Sequence, residues 1–394
     1  MQYRPFGNTG VEVSALGFGA MRLPTTDPDD YASIDHAQAT RLVRYAIDHG
    51  VNYVDSCYHY HANESERFLG RALQDGYREK VYVATKLPAW IVEEHEGDAD
   101  TVLNEQLERL QTDYIDFYLF HGLNRERWKT VERYSLLAWA EGALADGRIC
   151  HLGFSFHDEF DIFKTIVDAY DGWEFCQVQY NYMDVNTQAG RKGVEYAASQ
   201  GLGIVVMEPL LGGRLVNPPQ TVQEIWDTAP SVQTPVERAL RWLWDQPEIS
   251  VVLSGMSAME HVVENVAHAS TYGVGNMSDE DQALIAQVRD EYEDLCPIPC
   301  TKCGYCLPCT VELNIPWLFD VLNQGVMYDR IEEARERYRH LDEGKRAASC
   351  TACKECEQMC PQSIPISAWM ERVEQILGQG VEIGDTGLPL MSAQ

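Results

Sequence analysis

Tyr114-Ile-Asp-Phe-Tyr-Leu-Phe-His121 is a nearly unbroken apolar run of strand-forming residues, set between the amphipathic segments Thr101–Leu110 and Trp128–Ala145. The second of these leads into another such run, His151-Leu-Gly-Phe-Ser-Phe156. A strand that is apolar on both faces belongs in a parallel sheet covered by helices. Working outward, the same alternation recurs. His36–His49 stops at Gly50 before Asn52-Tyr-Val-Asp-Ser56, and Glu64–Gln74 precedes Val81-Tyr-Val-Ala-Thr-Lys86. Ser14–Ala20 opens the series, and Phe175–Asn181, Gly203–Pro209 and Ser250–Met256 close it. Eight such strands within about 270 residues predict an α/β fold, the (β/α)8 TIM barrel. A doubly wound open sheet is the alternative, but no G-x-G-x-x-G follows the first strand. Ahead of the barrel, Asn8-Thr-Gly10 between two short extended runs predicts an N-terminal hairpin.

Past the last strand the composition changes. Cys350-Thr-Ala-Cys353-Lys-Glu-Cys356-Glu-Gln-Met-Cys360-Pro361 has the spacing C-x-x-C-x-x-C-x-x-x-C-P, and Cys300, Cys303, Cys306 and Cys309 repeat its core. Three thiolates so spaced can wrap three irons of one cubane, while the trailing cysteine is aimed at a different centre. Both runs are followed by an Ile-Pro pair and a tryptophan: Ile315, Pro316 and Trp317, then Ile364, Pro365 and Trp369. The two segments resemble the halves of a bacterial two-cluster ferredoxin. That resemblance implies two [4Fe-4S] clusters, one on Cys300, Cys303, Cys306 and Cys360, the other on Cys350, Cys353, Cys356 and Cys309. Cys309 departs from the pattern, since it comes after two residues and is followed by Thr310.

Four-cysteine zinc sites are the alternative, but they leave the third in-phase cysteine and the Cys-Pro pair unexplained. Disulfides are disfavoured because the chain opens Met1-Gln-Tyr-Arg4 with no signal-peptide succession, and a reducing cytosol keeps thiols free. Cys57, Cys150 and Cys176 lie in apolar segments and are expected to be buried, whereas Cys296 is placed to be a spare ligand. The expected organisation is a barrel over 1–277, a connecting helix over 278–295, and a small, mostly α, ferredoxin-like domain over 296–394. A charged stretch, Asp329–Leu341, reads as an exposed helix between the cysteine runs.

With 31 Lys and Arg against 61 Asp and Glu, the net charge of −30 argues against nucleic acid or anionic membrane as partners. No apolar run approaches the ~20 residues of a membrane span. The expectation is a soluble, cytoplasmic protein.

In a barrel of this kind, chemistry sits at the carboxyl ends of the strands. There the sequence places Asp55, then Tyr60, Lys86 and His121. Singly, each has an ordinary explanation as helix cap, packing aromatic, solvated strand end or rim histidine. Together they bring an acid, a phenol, an ammonium and an imidazole to one mouth. Gly50-Val-Asn-Tyr-Val-Asp-Ser56 with Tyr60, Asn63-Glu-Ser-Glu-Arg-Phe-Leu-Gly-Arg-Ala-Leu73, Val83-Ala-Thr-Lys-Leu-Pro88 and Asp113–His121 resemble the aldo/keto reductases. The whole chain resembles the branch with a C-terminal ferredoxin-type segment.

By that resemblance Asp55, Tyr60, Lys86 and His121 form a catalytic tetrad acting on a small carbonyl or related substrate. Tyr60 would donate the proton, Lys86 would lower its pKa, Asp55 would hold Lys86, and His121 would bind the carbonyl. Ser155 and Gln177 stand where the family holds a nicotinamide carboxamide, and Asn265 falls in the stretch after the last strand. Phe156 replaces an asparagine, Met207 and Glu208 replace a stacking aromatic and a small residue, and Gly255 and His261 replace the cations used for a 2′-phosphate. These departures predict that discrimination for NADPH over NADH is lost, with NADH or a noncovalent flavin as the occupant. A redox partner protein is expected for the clusters. Two other readings stay open: a silent barrel on an electron-carrying or docking subunit, and a reductase whose clusters are only structural.

Overall fold

The computed structural model describes residues 1–229 and 232–383. Eight parallel strands close into a barrel: β3 (Leu16–Gly19), β4 (Tyr53–Asp55), β5 (Tyr82–Leu87), β6 (Ile115–Leu123), β7 (Ile149–Phe156), β8 (Phe175–Gln179), β9 (Gly203–Met207) and β10 (Val251–Ser254), with β10 pairing both β9 and β3. These are the eight runs expected from the sequence. The preceding hairpin pairs β1 (Tyr3–Pro5) with β2 (Glu12–Ser14), in antiparallel register Arg4 to Val13.

The hairpin has a packing role. It carries Phe6, fully buried, whose ring centroid lies 4.5 Å from that of Phe117 and 5.2 Å from that of Phe175. With Tyr53, Val205, Val251 and Leu253 these residues fill the barrel interior. Each fully buried aromatic of this kind contributes on the order of 1.5–3 kcal/mol. Chemistry is thereby left to the opposite, carboxyl end of the strands.

One expected helix is two. Arg125–Arg133 and Leu136–Ala145 are separated at Ser135, whose φ of 52° is left-handed and breaks the helical path. Periodicity alone misses this because both halves bury apolar residues, Trp128 and Val131 in one and Leu136, Ala140 and Ala143 in the other.

The chain divides into two compact units, Met1–Gly212 with Val236–Ser278, and Gly213–Pro235 with Asp279–Gln394. In the second unit, Asp279–Asp294 is a helix, as expected from the sequence, and it packs with Gln220–Trp226. Helices Ile315–Met327, Ile331–Arg339 and Ile366–Val373 share a core that includes Leu318, Phe319, Leu322, Trp369, Met370 and Val373. Asn314 caps the first of them by accepting from Trp317 N. The helix expected to be exposed is Ile331–Arg339, and it is not fully exposed: Ala334 and Tyr338 are buried, and Tyr338 OH accepts from Ala347 N at 2.8 Å and donates to Glu374. Among the described residues, no helix is long and apolar enough to cross a membrane.

Candidate active site and cluster cavities

Strand register brings the first acid and the lysine together. Asp55 ends β4 opposite Ala84 of β5, two residues before Lys86. Lys86 Nζ donates to both Asp55 oxygens at 2.7 Å and to the Ser56 carbonyl at 2.6 Å. Three bonds use all three ammonium donors, and both side chains are almost wholly buried. Burial pushes the Asp55 carboxyl up while Lys86 pulls it down, with burial the larger cause.

Tyr60 lies over this pair. Lys86 Nζ is 5.1 Å from the centre of its ring. The expected lowering of the phenol pKa is not what the site shows. Burial first, then the neighbouring Asp55, Cys57, Tyr31 and Glu208, push Tyr60 well above the usual tyrosine value. The main physical reason is burial; the Lys86 charge that would oppose it is bonded to both Asp55 oxygens.

Behind Lys86 a buried polar network holds β5 in place. Thr85 Oγ1 donates to Glu66 Oε1 at 2.6 Å, Gln106 Nε2 donates to Glu66 Oε1 at 2.7 Å and to the Lys86 carbonyl at 3.1 Å, and Tyr118 OH donates to Gln106 Oε1 at 2.6 Å. Arg109 pairs with Glu66 at 3.3 Å. Burial is the main influence on the Glu66 carboxyl and raises its pKa. Sequence reasoning did not single out Glu66 or Gln106, although Glu66 belongs to the quoted Asn63–Leu73 stretch. A buried Glu inside an otherwise amphipathic helix was the available signal.

His121 reaches the mouth from β6. The β6–β7 register shifts between Phe120 and Leu123, an irregularity of the kind that re-aims a side chain. Gly122 adopts φ 59°, and a Cβ there would lie 2.5 Å from Arg127 Nη1, so the turn after His121 needs glycine. His121 Nδ1 is 3.2 Å from Cys57 Sγ, and its ring stacks on His59 with centroids 5.0 Å apart. Burial, and then the Lys86 charge, hold its pKa well below the usual histidine value, so the ring is neutral. Trp90 packs beside both histidines, with Arg127 4.4 Å from its ring centre.

The remaining expected positions are less closely assembled. Ser155 Oγ accepts from Gly122 N at 2.7 Å. Gln177 Nε2 donates to Met207 Sδ at 3.6 Å, while its buried Oε1 has no hydrogen-bond partner among the described residues. Such an acceptor fits an incoming carboxamide N–H. Asn265 Nδ2 donates to Ser254 Oγ at 3.1 Å. Phe156 is buried edge-on against Phe163 at 5.2 Å, which accounts for an aromatic there. Glu208 has φ 58° and its carbonyl accepts from Asn181. His261 and Gly255 are exposed. A Cβ at Gly255 would stand 3.1 Å from Arg22 Cβ, so the Arg22 stem occupies the space of a side chain there.

In the second unit the eight run cysteines sort into two cavities. One is lined by Cys300, Cys303, Cys306 and Cys360 with Ile315, Phe319 and Ile364. The other is lined by Cys309, Cys350, Cys353 and Cys356 with Leu313, Ile366 and Met370. Each therefore takes three thiols from one run and one from the other. All eight are free. Four sulfurs in an apolar concavity are the donor set a cubane needs. Burial, together with Cys350, Cys353 and Cys309, pushes the Cys356 thiol up to about 11, a cost that a bound cation would remove. Thr310, standing where proline was expected, places Oγ1 3.5 Å from Cys353 Sγ and lowers that thiol. Outside the runs, Cys57 and Cys176 are buried as expected, but Cys150 is exposed. It occupies an outward-facing position near the start of β7. Cys296 donates to the Ile298 carbonyl at 3.4 Å and lines neither cavity.

Comparison with known proteins agrees with this division. The profile of the aldo/keto reductase family matches residues 15–289, and that of a 4Fe-4S dicluster domain matches residues 299–365. L-galactose dehydrogenase of Arabidopsis thaliana is 27% identical over 316 residues, covering 75% of this chain and 96% of its own. Aldo-keto reductase AKR11C1 of Bacillus halodurans superposes with a TM-score of 0.58 at 23% identity, covering 73% of this chain and 96% of its own. An aldo-keto reductase of Klebsiella pneumoniae, solved with NADPH, gives a TM-score of 0.55 at 21% identity, with 73% and 96% covered. The chain is a member of the aldo/keto reductase family, an oxidoreductase barrel joined to a 4Fe-4S dicluster domain.

Proposed function

We propose that the barrel reduces a small carbonyl compound, or in reverse oxidises the alcohol, with Tyr60 as proton donor, and that the second unit holds two [4Fe-4S] clusters. The observation that carries this reading is the Lys86 knot: an ammonium held by Asp55 and Ser56 directly beneath Tyr60. A reaction that makes an alkoxide needs a proton donor still protonated at neutral pH, and a tyrosine phenol meets that requirement. Lys86 becomes important as the phenol gives up its proton, since the nascent phenolate then has a cation close by. His121, neutral and tied at Nδ1 to the Cys57 thiol, presents Nε2–H to the carbonyl oxygen and polarises it. Arg127 packs on the Trp90 ring, which lies beside His59 and His121 at the mouth.

When bound, a nicotinamide or flavin would supply the hydride and the clusters one-electron transfer. Gln177 Oε1 is the natural acceptor for a carboxamide, with the Ser155 hydroxyl beside it in the β7–β8 register. For the adenosine 2′-phosphate, the missing cations at 255 and 261 would each cost about 1.5–3 kcal/mol. Arg22 crosses Gly255, but its Nη2 shares its surroundings with the Glu208 carboxylate near Gly212, so it replaces that charge poorly.

The substrate class is taken as a small polyol-derived carbonyl, the class to which the product of a galactose dehydrogenase belongs. Anaerobic titration with NADPH, NADH and FMN, followed by turnover of aldehydes and sugar lactones, tests the assignment. NADH or FMN should bind at least as tightly as NADPH. Preferred NADPH binding, with clusters that never change oxidation state in turnover, would remove both the cofactor assignment and the electron-transfer role.

A further inference from the structure

We infer that Cys57, His59 and His121 form a site for one zinc-type divalent cation at the barrel mouth. Their donor atoms all lie within 4.8 Å of one another. Cys57 Sγ is 3.5 Å from His59 Nδ1 and 3.2 Å from His121 Nδ1. Zinc takes sulfur at about 2.3 Å and imidazole nitrogen at about 2.0–2.1 Å, so a tetrahedral site needs an S···N separation of about 3.6 Å. The observed spacings are within a few tenths of an ångström of that value. The two imidazole planes are 17° apart with centroids 5.0 Å apart, so one ring has to turn about its Cβ–Cγ bond for the ion to lie in both ring planes.

The chemistry and the access agree with the geometry. One thiolate and two imidazoles are a nitrogen and sulfur set suited to zinc rather than to magnesium or calcium. Cys57 is fully buried and fixes the inner end of the site, whereas His59 is exposed and gives the ion an entry path. Three protein ligands leave a fourth position free for water. Trp90, with ring centroids 5.7 Å from His59 and 5.1 Å from His121, flanks both imidazoles with an apolar surface. None of the three residues belongs to the cysteine runs, so the site draws on ligands the clusters do not use.

The test uses the full-length, cluster-loaded protein under anaerobic conditions, with Zn²⁺ added and unbound metal dialysed away. One zinc per chain should be retained with no loss of iron. X-ray absorption at the zinc edge should show one sulfur at about 2.3 Å and two or three nitrogen or oxygen atoms at about 2.0–2.1 Å. Cys57→Ala and His59→Gln should each weaken retention at least tenfold, the exposed His59 deciding the matter should the Cys57 variant fail to fold. A four-sulfur shell would mean that zinc had entered the cluster thiols, and a shell without sulfur would mean surface binding. Either result, or retention unchanged in both variants, overturns the site. Its effect on catalysis rests on the role proposed above for His121: re-aiming that ring should slow carbonyl reduction about tenfold. A one-sulfur shell without inhibition leaves the metal site standing and removes His121 from the reaction.

Discussion

Replacing Lys86 by methionine keeps most of the side-chain volume and removes the charge. Asp55, 2% exposed and bonded through both oxygens to Lys86 Nζ, then has no cation beside it. Breaking a buried pair from one side costs about 3–5 kcal/mol, because the partner is left uncompensated. In a unit of this size each kcal/mol lowers Tm by about 2–4 °C, so the barrel transition should fall by roughly 6–20 °C. Asp55→Asn with Lys86→Met removes both charges and should be less destabilised than Lys86→Met alone, by about 1–3 kcal/mol relative to additivity. The pH dependence gives a second handle. Without Lys86 the folded Asp55 pKa rises further above its unfolded value, so the variant is best folded in acid and loses stability as the pH rises through the folded pKa. Denaturation followed by tryptophan fluorescence, with iron content checked in parallel, measures all of this. A double variant that loses as much as Asp55→Asn and Lys86→Met lose separately, added together, would show that the ion pair does not hold the mouth together.

Three further predictions use other parts of the molecule. Because each cavity takes one thiol from the opposite run, Cys360→Ser should perturb the cluster of the Cys300 run and Cys309→Ser that of the Cys350 run; an electron-paramagnetic-resonance change confined to the mutated run contradicts the cross-ligation. Burial lowers the pKa of His59, His61, His121 and His157, so the unfolded state takes up more protons below about pH 6.5 and stability should fall there, with His121 contributing at most about 1.4 kcal/mol per pH unit. A urea midpoint unchanged between about pH 7.5 and about pH 5.5 would refute this. Gln106→Leu leaves the Glu66 carboxylate, the Tyr118 hydroxyl and the Lys86 carbonyl short of a partner, and should cost about 1–3 kcal/mol and slow turnover, whereas unaltered stability would show that the network behind β5 is dispensable.

Much of this was legible in the sequence because it is written in period and spacing. Continuous apolar runs such as Ile115–Leu123 have one physical use, a strand covered on both faces, and eight of them close a barrel. The cysteine spacing likewise lays out two runs of four thiols, and the ferredoxin resemblance implied the exchange of one thiol between runs that the two cavities display. Contacts that depend on side chains meeting from distant positions were not legible. Nothing local announces that Gln106 bridges Glu66, Lys86 and Tyr118, or that Cys57 faces His121 across 64 positions. The depth at which Tyr60 is buried, the main cause of its raised pKa, is likewise a matter of tertiary geometry, as is the bonding of the Lys86 ammonium to Asp55 and Ser56.

The most direct test of the central claim is the turnover of Tyr60→Phe. The substitution keeps the ring over Lys86 and removes only the exchangeable proton. Carbonyl reduction by the anaerobic, cluster-loaded variant should fall by about 10²–10⁴-fold in kcat, with iron content and nucleotide or flavin affinity unchanged. A variant that keeps most of its activity on a substrate the parent enzyme turns over would show that the proton comes from elsewhere and that the chemistry does not run through Tyr60.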